Sequence, residues 1–283
     1  MLLGPFLYPG TVGLFLALPY VSYTLLTKVE LKDGNPWPWF SQHFFVLNHV
    51  RRTLELDFVN FPPHASTRQY LYACHPHGVY SDYRVLIDGM FRHRAVSPKT
   101  LAATILFRLP LIREVSLWTG CVDARRQVAE ATLHRGDSVL VLPGGEAEQI
   151  RTKFGREIVY LKHRKGFIKL AMRKGVPVVP MYVFGVSDYY YTSDVLLGPR
   201  MWLTKNLQIC IPFAAGLAWS PFCPLPQKTT VVFGEPLSFE PSCESPTAEQ
   251  LDSAHGAFVN ALSKLFDEHK DRLGYGDRKL EIV

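Results

Sequence analysis

Two histidines stand in the tetrapeptide His75-Pro76-His77-Gly78, and Asp82 follows His77 with four residues between. A hydroxyl near neutral pH is a poor nucleophile, so acyl transfer to an alcohol needs a base. Imidazole suits that role, with an unperturbed pKa of about 6.5. His77, with Asp82 at that spacing, is the candidate base, and His75 stands two residues before it. A carboxylate at the far ring nitrogen would fix the tautomer and stabilise the imidazolium, a role open to Asp82. Pro76 stiffens the turn, and Gly78 lets the backbone approach a substrate closely. An H-x-H pair also opens several metal-hydrolase sites, but Val79, Tyr80 and Ser81 supply no further ligands. No metal is expected.

A second constellation is Pro143-Gly144-Gly145-Glu146-Ala147-Glu148. The N–H groups of Gly144 and Gly145 could face a phosphate or the oxyanion of a tetrahedral intermediate, or only turn the chain. Glu148 could orient acceptor hydroxyls or pair with a basic neighbour. A third is the basic run Lys162-His163-Arg164-Lys165, continued by Lys169, Arg173 and Lys174, with Gly166 between. Arg164 could give forked contacts to phosphates and Lys165 a point charge, as a CoA ester would require. A solvated helix surface facing a membrane is the competing reading. No nucleic-acid recognition motif accompanies the run, so nucleic acid is not expected as a partner.

These residues need elements to position them. Residues 69–74 (QYLYAC) read as a strand running into His75, and open α/β sheets place their sites at such carboxyl ends. Residues 138–142 (SVLVL), 176–184 (VPVVPMYVF) and 229–233 (TTVVF) read as further strands. Residues 43–56 read as a helix, and 160–174 as a basic amphipathic helix closed by Gly175. The last helix opens with a capping box, Thr247 with Gln250, carries Leu251, Phe258, Leu262 and Leu265 on one face, and stops near Gly274. Strands alternating with helices predict an α/β fold: a mainly parallel sheet with flanking helices.

The chain has 283 residues and a formal charge of +6, with pI near 9.0, which favours anionic partners. Its five cysteines are widely spaced and form no CxxC pair, which points to reduced thiols packed as small hydrophobes. No charge occurs between Leu2 and Thr27, a length sufficient for a bilayer span, although three prolines interrupt it. The expectation is an N-terminal membrane-embedded segment, an anchor or re-entrant hairpin over 1–27. A membrane-proximal linker and helix follow over 28–68, and a catalytic domain over 69–283. The basic residues after the apolar stretch place that domain on the cytosolic side. A second charge-free stretch, 206–227, reads as a loop touching the bilayer or folded over the core.

The blocks His75–Gly78, 143–148 (PGGEAE), 164–167 (RKGF) and 179–185 (VPMYVFG) occur in the order and spacing of the type-2 acyl-CoA:diacylglycerol acyltransferase family. That family also includes monoacylglycerol and wax-alcohol acyltransferases. The resemblance runs over residues 69–236. It implies a glycerolipid-acyltransferase-like fold, His77 as catalytic histidine, and Glu148 at the acidic position of the family's PGGxxE block. It also implies an endoplasmic-reticulum membrane protein with access to lipid droplets. Three features depart from the pattern. Asn60 replaces the tyrosine that precedes Phe61-Pro62 in many relatives, the N-terminal apolar region is short, and Asp82 looks instead like the H-x4-D box of the wider glycerolipid acyltransferases. The expected reaction carries an acyl group from acyl-CoA, as co-substrate and with no cofactor, to the hydroxyl of diacylglycerol, forming triacylglycerol. Monoacylglycerol, a long-chain alcohol and a lysophospholipid are the alternative acceptors, and a lipid-binding membrane scaffold the non-enzymatic one. Membrane lipids are expected partners, and homo-oligomerisation stays open.

Overall fold

The computed structural model describes residues 18–207, 210–239 and 245–283. In chain order the elements are helices α1 (Leu18–Leu26), α2 (Pro38–His43) and α3 (Phe45–Thr53), then strands β1 (Asp57–Val59) and β2 (Leu71–His75). Next come α4 (Asp82–His93), β3 (Lys99–Ala102), α5 (Ile112–Trp118), β4 (Cys121–Asp123), α6 (Arg126–His134), β5 (Val139–Val141) and α7 (Gly145–Gln149). The remainder is β6 (Glu157–Val159), α8 (Gly166–Lys174), β7 (Val178–Phe184), β8 (Tyr191–Thr192), α9 (Leu197–Leu207), β9 (Ala214–Ala215), β10 (Thr230–Phe233), α10 (Ala248–Leu273) and β11 (Leu280–Ile282).

Seven strands form the central sheet in the order β1-β10-β7-β2-β5-β3-β4. Every neighbouring pair is parallel except β10 with β7. The central strands β2 and β7 are buried along their whole length, which is why they read as unbroken apolar runs. Successive residues of β2 serve opposite layers. Tyr72 and Cys74 pack with Phe91 and Phe233, while Leu71 and Ala73 pack with Phe167 and Phe258. α10 closes the second layer. Its start is the expected capping box: the Thr247 hydroxyl accepts from the Gln250 N–H at 3.2 Å, and Gln250 Oε1 accepts from the Thr247 N–H at 2.9 Å.

The membrane-embedded N-terminal segment is not supported. Among the described residues, no helix is long and apolar enough to cross a membrane. The described part of that stretch is α1, whose nine residues extend about 14 Å, half the thickness of a bilayer core. It rests on α5, where the Tyr20 hydroxyl donates to Glu114 at 2.5 Å and Arg113 donates to the Thr27 carbonyl at 3.1 Å. Residues 1–17 of the expected anchor lie outside the described residues. Smaller differences concern helix limits. The expected helix over 43–56 is α3 alone, separated from α2 by a break at Phe44, and the basic helix begins only at Gly166. Residues 157–159, just before the expected helix, form a strand paired in parallel with β11 at the far end of the chain.

Candidate active site

β2 delivers its last residue, His75, into the sheet, and the following turn carries His77 out to a cavity wall. His75 is fully buried, its ring 6.1 Å from that of Phe258. Gly78 has φ +69°, and a Cβ there would lie 2.4 Å from Val186 Cγ1, so the turn requires glycine.

Glu148, also fully buried, ties the turn together. Its Oε1 accepts the main-chain N–H of His77, and its Oε2 accepts that of Tyr160 at 2.7 Å. Oε2 also lies 3.6 Å from His75 Nδ1, an ion-pair distance longer than a hydrogen bond. Burial works to push the Glu148 carboxyl up. The adjacent His75 ring and the His77 amide outweigh it, and the carboxyl sits below its ordinary range. Gly144 makes room for this arrangement, since a Cβ there would meet Glu148 Oε2 at 2.1 Å. Blocks 71 residues apart in sequence therefore meet at one carboxylate.

The His77 ring has Nδ1 3.0 Å from the carbonyl of Gly78. A carbonyl can only accept, so Nδ1 carries the proton and Nε2 presents a lone pair. The Ser81 hydroxyl lies 3.2 Å from Nε2. Burial lowers the His77 pKa more than the Gly78 carbonyl and Glu148 raise it, which favours the neutral ring.

Asp82 opens α4 and takes a different partner from the one expected. Its Oδ2 accepts from the Tyr190 hydroxyl at 2.8 Å, while the hydrogen-bond partners of the His77 ring are Gly78 and Ser81. Burial pushes the Asp82 carboxyl up to about 6, although Tyr190 and its own amide oppose the rise. Tyr190, 108 residues away, carried no signal that would have identified it.

The cavity that His77 lines has a volume of about 1280 Å³, above the roughly 300–1,000 Å³ usual for small-molecule pockets. Its lining is mostly apolar, with Leu101, Ile105, Leu106, Leu109, Ile112 and Val115. It also includes the polar Tyr80, Ser81, Asp82 and Glu146 and the basic Arg84, Arg126, Lys169 and Arg173. Of the expected phosphate-binding residues, Gly145 and Gly166 reach it. Arg164 donates to the Gly144 carbonyl at 3.2 Å and stacks on Tyr160, while Lys165 pairs with Asp252 at 2.5 Å. The helix starts at Gly166, so Gly166, Lys169 and Arg173 share one face by i, i+3, i+7 spacing. With the start fixed at Gly166, that spacing would have identified Lys169 and Arg173. The Gly145 N–H donates to the Leu142 carbonyl at 3.1 Å, which commits it to the turn. No group of three or more His, Cys, Asp or Glu side chains able to hold a metal occurs among the described residues.

A family model described as "Diacylglycerol acyltransferase" matches residues 6–283. Diacylglycerol O-acyltransferase 2 from Bos taurus is 29% identical, over 92% of this chain and 77% of the relative. The Mus musculus protein of the same name is 31% identical, over 92% of this chain and 71% of the relative. The human Acyl-CoA wax alcohol acyltransferase 2 is 29% identical, over 86% of this chain and 78% of the relative.

Proposed function

The chain belongs to the diacylglycerol acyltransferase family, and from that premise we propose that His77 is the base with which it esterifies the free hydroxyl of diacylglycerol. The enzyme takes an acyl group from acyl-CoA and forms triacylglycerol. The observation that carries the role of His77 is its place: a neutral imidazole on the wall of a large, mostly apolar cavity, its Nε2 facing the Ser81 hydroxyl.

In this reaction Nε2 removes the hydroxyl proton as the oxygen attacks the thioester carbonyl carbon. The tetrahedral intermediate collapses, the C–S bond breaks, and the imidazolium returns the proton to the CoA sulfur. A thiolate is a good leaving group, so no further acid is required. The Gly78 carbonyl does the orienting work expected of Asp82 by fixing the proton on Nδ1. Glu148 and His75 are positioning residues that hold the turn from inside the sheet. Lys169 and Arg173, rather than Arg164 and Lys165, receive the CoA phosphates, and the apolar lining receives the acyl chain.

The lipid substrates reach the cavity from a membrane surface, which we assign to the endoplasmic reticulum or a lipid droplet. Trp202, Trp219 and Phe222 are 60%, 82% and 83% exposed, a large aromatic area of the kind that sits at a bilayer interface.

The test is purified protein given labelled acyl-CoA and diacylglycerol. Triacylglycerol should form, and His77→Ala should slow its formation at least a hundredfold. Transfer at the parental rate in that variant, or free fatty acid as the sole product, would overturn the assignment.

A further inference from the structure

Acyl transfer passes through a tetrahedral intermediate whose former carbonyl oxygen carries negative charge, and preorganised hydrogen-bond donors usually meet that charge. The glycine turn does not supply one. The Gly145 N–H is given to the Leu142 carbonyl, and Gly144 packs against the Glu148 carboxylate. Among the described residues, the groups within hydrogen-bond distance of the His77 ring are the Gly78 carbonyl and the Ser81 hydroxyl. A carbonyl has no proton to give, so Ser81 is the donor beside the base.

Ser81 is held unusually for its place in the chain. It immediately precedes α4, where a serine ordinarily turns its oxygen onto the amides of the first turn. Here the side chain makes no such bond and lines the cavity instead. Its backbone is left-handed, with φ 51° and ψ 36°, a conformation that residues other than glycine rarely adopt. Neither feature helps the helix. Together they leave the hydroxyl against the His77 ring.

The distances decide what that hydroxyl can do. Oγ lies 3.2 Å from Nε2 and 3.4 Å from Nδ1. A nucleophile activated by Nε2 would sit on that atom's lone pair, which points away from Nδ1, and would be much nearer one nitrogen than the other. Near-equal distances put Oγ beside the ring instead. The lone pair is left for the acceptor hydroxyl, and the Ser81 proton, which rotates about its C–O bond, can turn toward a thioester oxygen.

We infer that Ser81 is a further catalytic residue, the donor that stabilises the oxyanion formed from the acyl-CoA carbonyl. This rests on the reading of His77 as the base. As the acceptor oxygen bonds to the carbonyl carbon, the C=O electron pair moves onto its oxygen. The Ser81 hydroxyl donates a hydrogen bond to that oxygen and keeps its own proton. The pair returns as the C–S bond breaks, and the acceptor's proton passes through His77 to the CoA sulfur. Ser81 forms no covalent bond.

The experiment compares the whole chain with its Ser81→Gly and Ser81→Ala variants in phosphatidylcholine nanodiscs, using oleoyl-CoA and dioleoylglycerol. Glycine suits a left-handed backbone, so Ser81→Gly should melt no lower than the parent, and it serves if Ser81→Ala does not fold. Each folded variant should lose about 10²- to 10³-fold in kcat, with both KM values and the acid limb of the pH profile unchanged. Three results would each overturn this inference and leave His77 as the base. One is the parental kcat in folded Ser81→Gly. Another is a shifted acid limb, which would mean that the hydroxyl tunes the imidazole. The third is an oleoyl adduct on Ser81, seen by mass spectrometry after incubation with oleoyl-CoA alone, which would make it a nucleophile. A parental rate in His77→Ala would overturn the base assignment and this inference with it.

Discussion

The carboxylate of Glu148 accepts the main-chain N–H of His77, so the position of the reactive imidazole is set from behind by a group buried away from the cavity. The same carboxylate holds the Tyr160 amide and faces His75. Glu148→Ala orphans two buried donors at about 1–3 kcal/mol each, and unfolding free energy should drop by roughly 3 kcal/mol. Glu148→Gln keeps an acceptor but loses the attraction to His75, and should fold while transferring acyl groups at least tenfold more slowly. The Glu148 carboxyl lies below its unfolded value of about 4.3, so its stabilisation is complete above that pH and fades as pH falls through the folded pKa. Denaturant melts at pH 7 and pH 3.5 check this, and the Gln variant should show a smaller difference between them. An Ala variant as stable as the parent would show that the two amides have other acceptors.

The pH profile of transfer should report His77. The base works only when neutral, and burial holds its pKa below 6.5. Activity should therefore hold at pH 6.5 and fall on the acid side as His77 protonates. His77→Ala should cost 10²- to 10⁴-fold in kcat with little change in melting temperature. His75→Ala should show the opposite balance, because that ring fills a buried space beside Phe258 and faces Glu148. An acid limb centred above 6.5 would assign the titration to another group.

Much of this was legible because the central strands are buried on both faces and so appear as apolar runs, as in residues 138–142 and 176–184. The α10 cap and stop were legible because capping is local chemistry. What could not be read depends on distant pairing. β6 is three residues just before the expected helix, and only pairing with β11, at the other end of the chain, makes it a strand. The Asp82 partner is another such case: a suitable spacing to His77 cannot reveal that Tyr190 has taken the carboxylate. The N-terminal expectation failed for a different reason, since lack of charge specifies neither helix length nor what α1 packs against.

Lys169 and Arg173 should govern acyl-CoA affinity. Each substitution by alanine should raise KM for acyl-CoA several-fold with kcat nearly unchanged, the pattern of a lost uniform binding contact. The effect should shrink at high salt, because exposed charge contacts are screened. Arg164→Ala should behave differently. Its guanidinium donates to the Gly144 carbonyl and stacks on Tyr160, whose amide Glu148 accepts, so kcat should fall. Steady-state kinetics with acyl-CoA varied at 50 and 300 mM salt would decide; equal KM changes in all three variants would remove the distinction.

Arg278 closes a buried acidic cluster formed by Glu157 and Asp188. Its Nη1 lies 2.8 Å from Glu157 and 2.9 Å from Asp188, while Tyr182 and Ser187 donate to the other Glu157 oxygen at 2.7 and 2.9 Å. Tyr182 is the β7 residue in register with His75, so the cluster underlies the catalytic turn. Arg278→Met preserves bulk yet strands two nearly buried carboxylates. Removing one partner from such a group typically costs about 3–5 kcal/mol, and the partial exposure of Arg278 should hold the loss near the lower figure. Arg278→Lys keeps a positive charge there and should recover part of the loss. Urea melts of the parent, Arg278→Met and Arg278→Lys check this, and a Met variant as stable as the parent would show that Arg278 stabilises the C-terminal segment by packing rather than by charge.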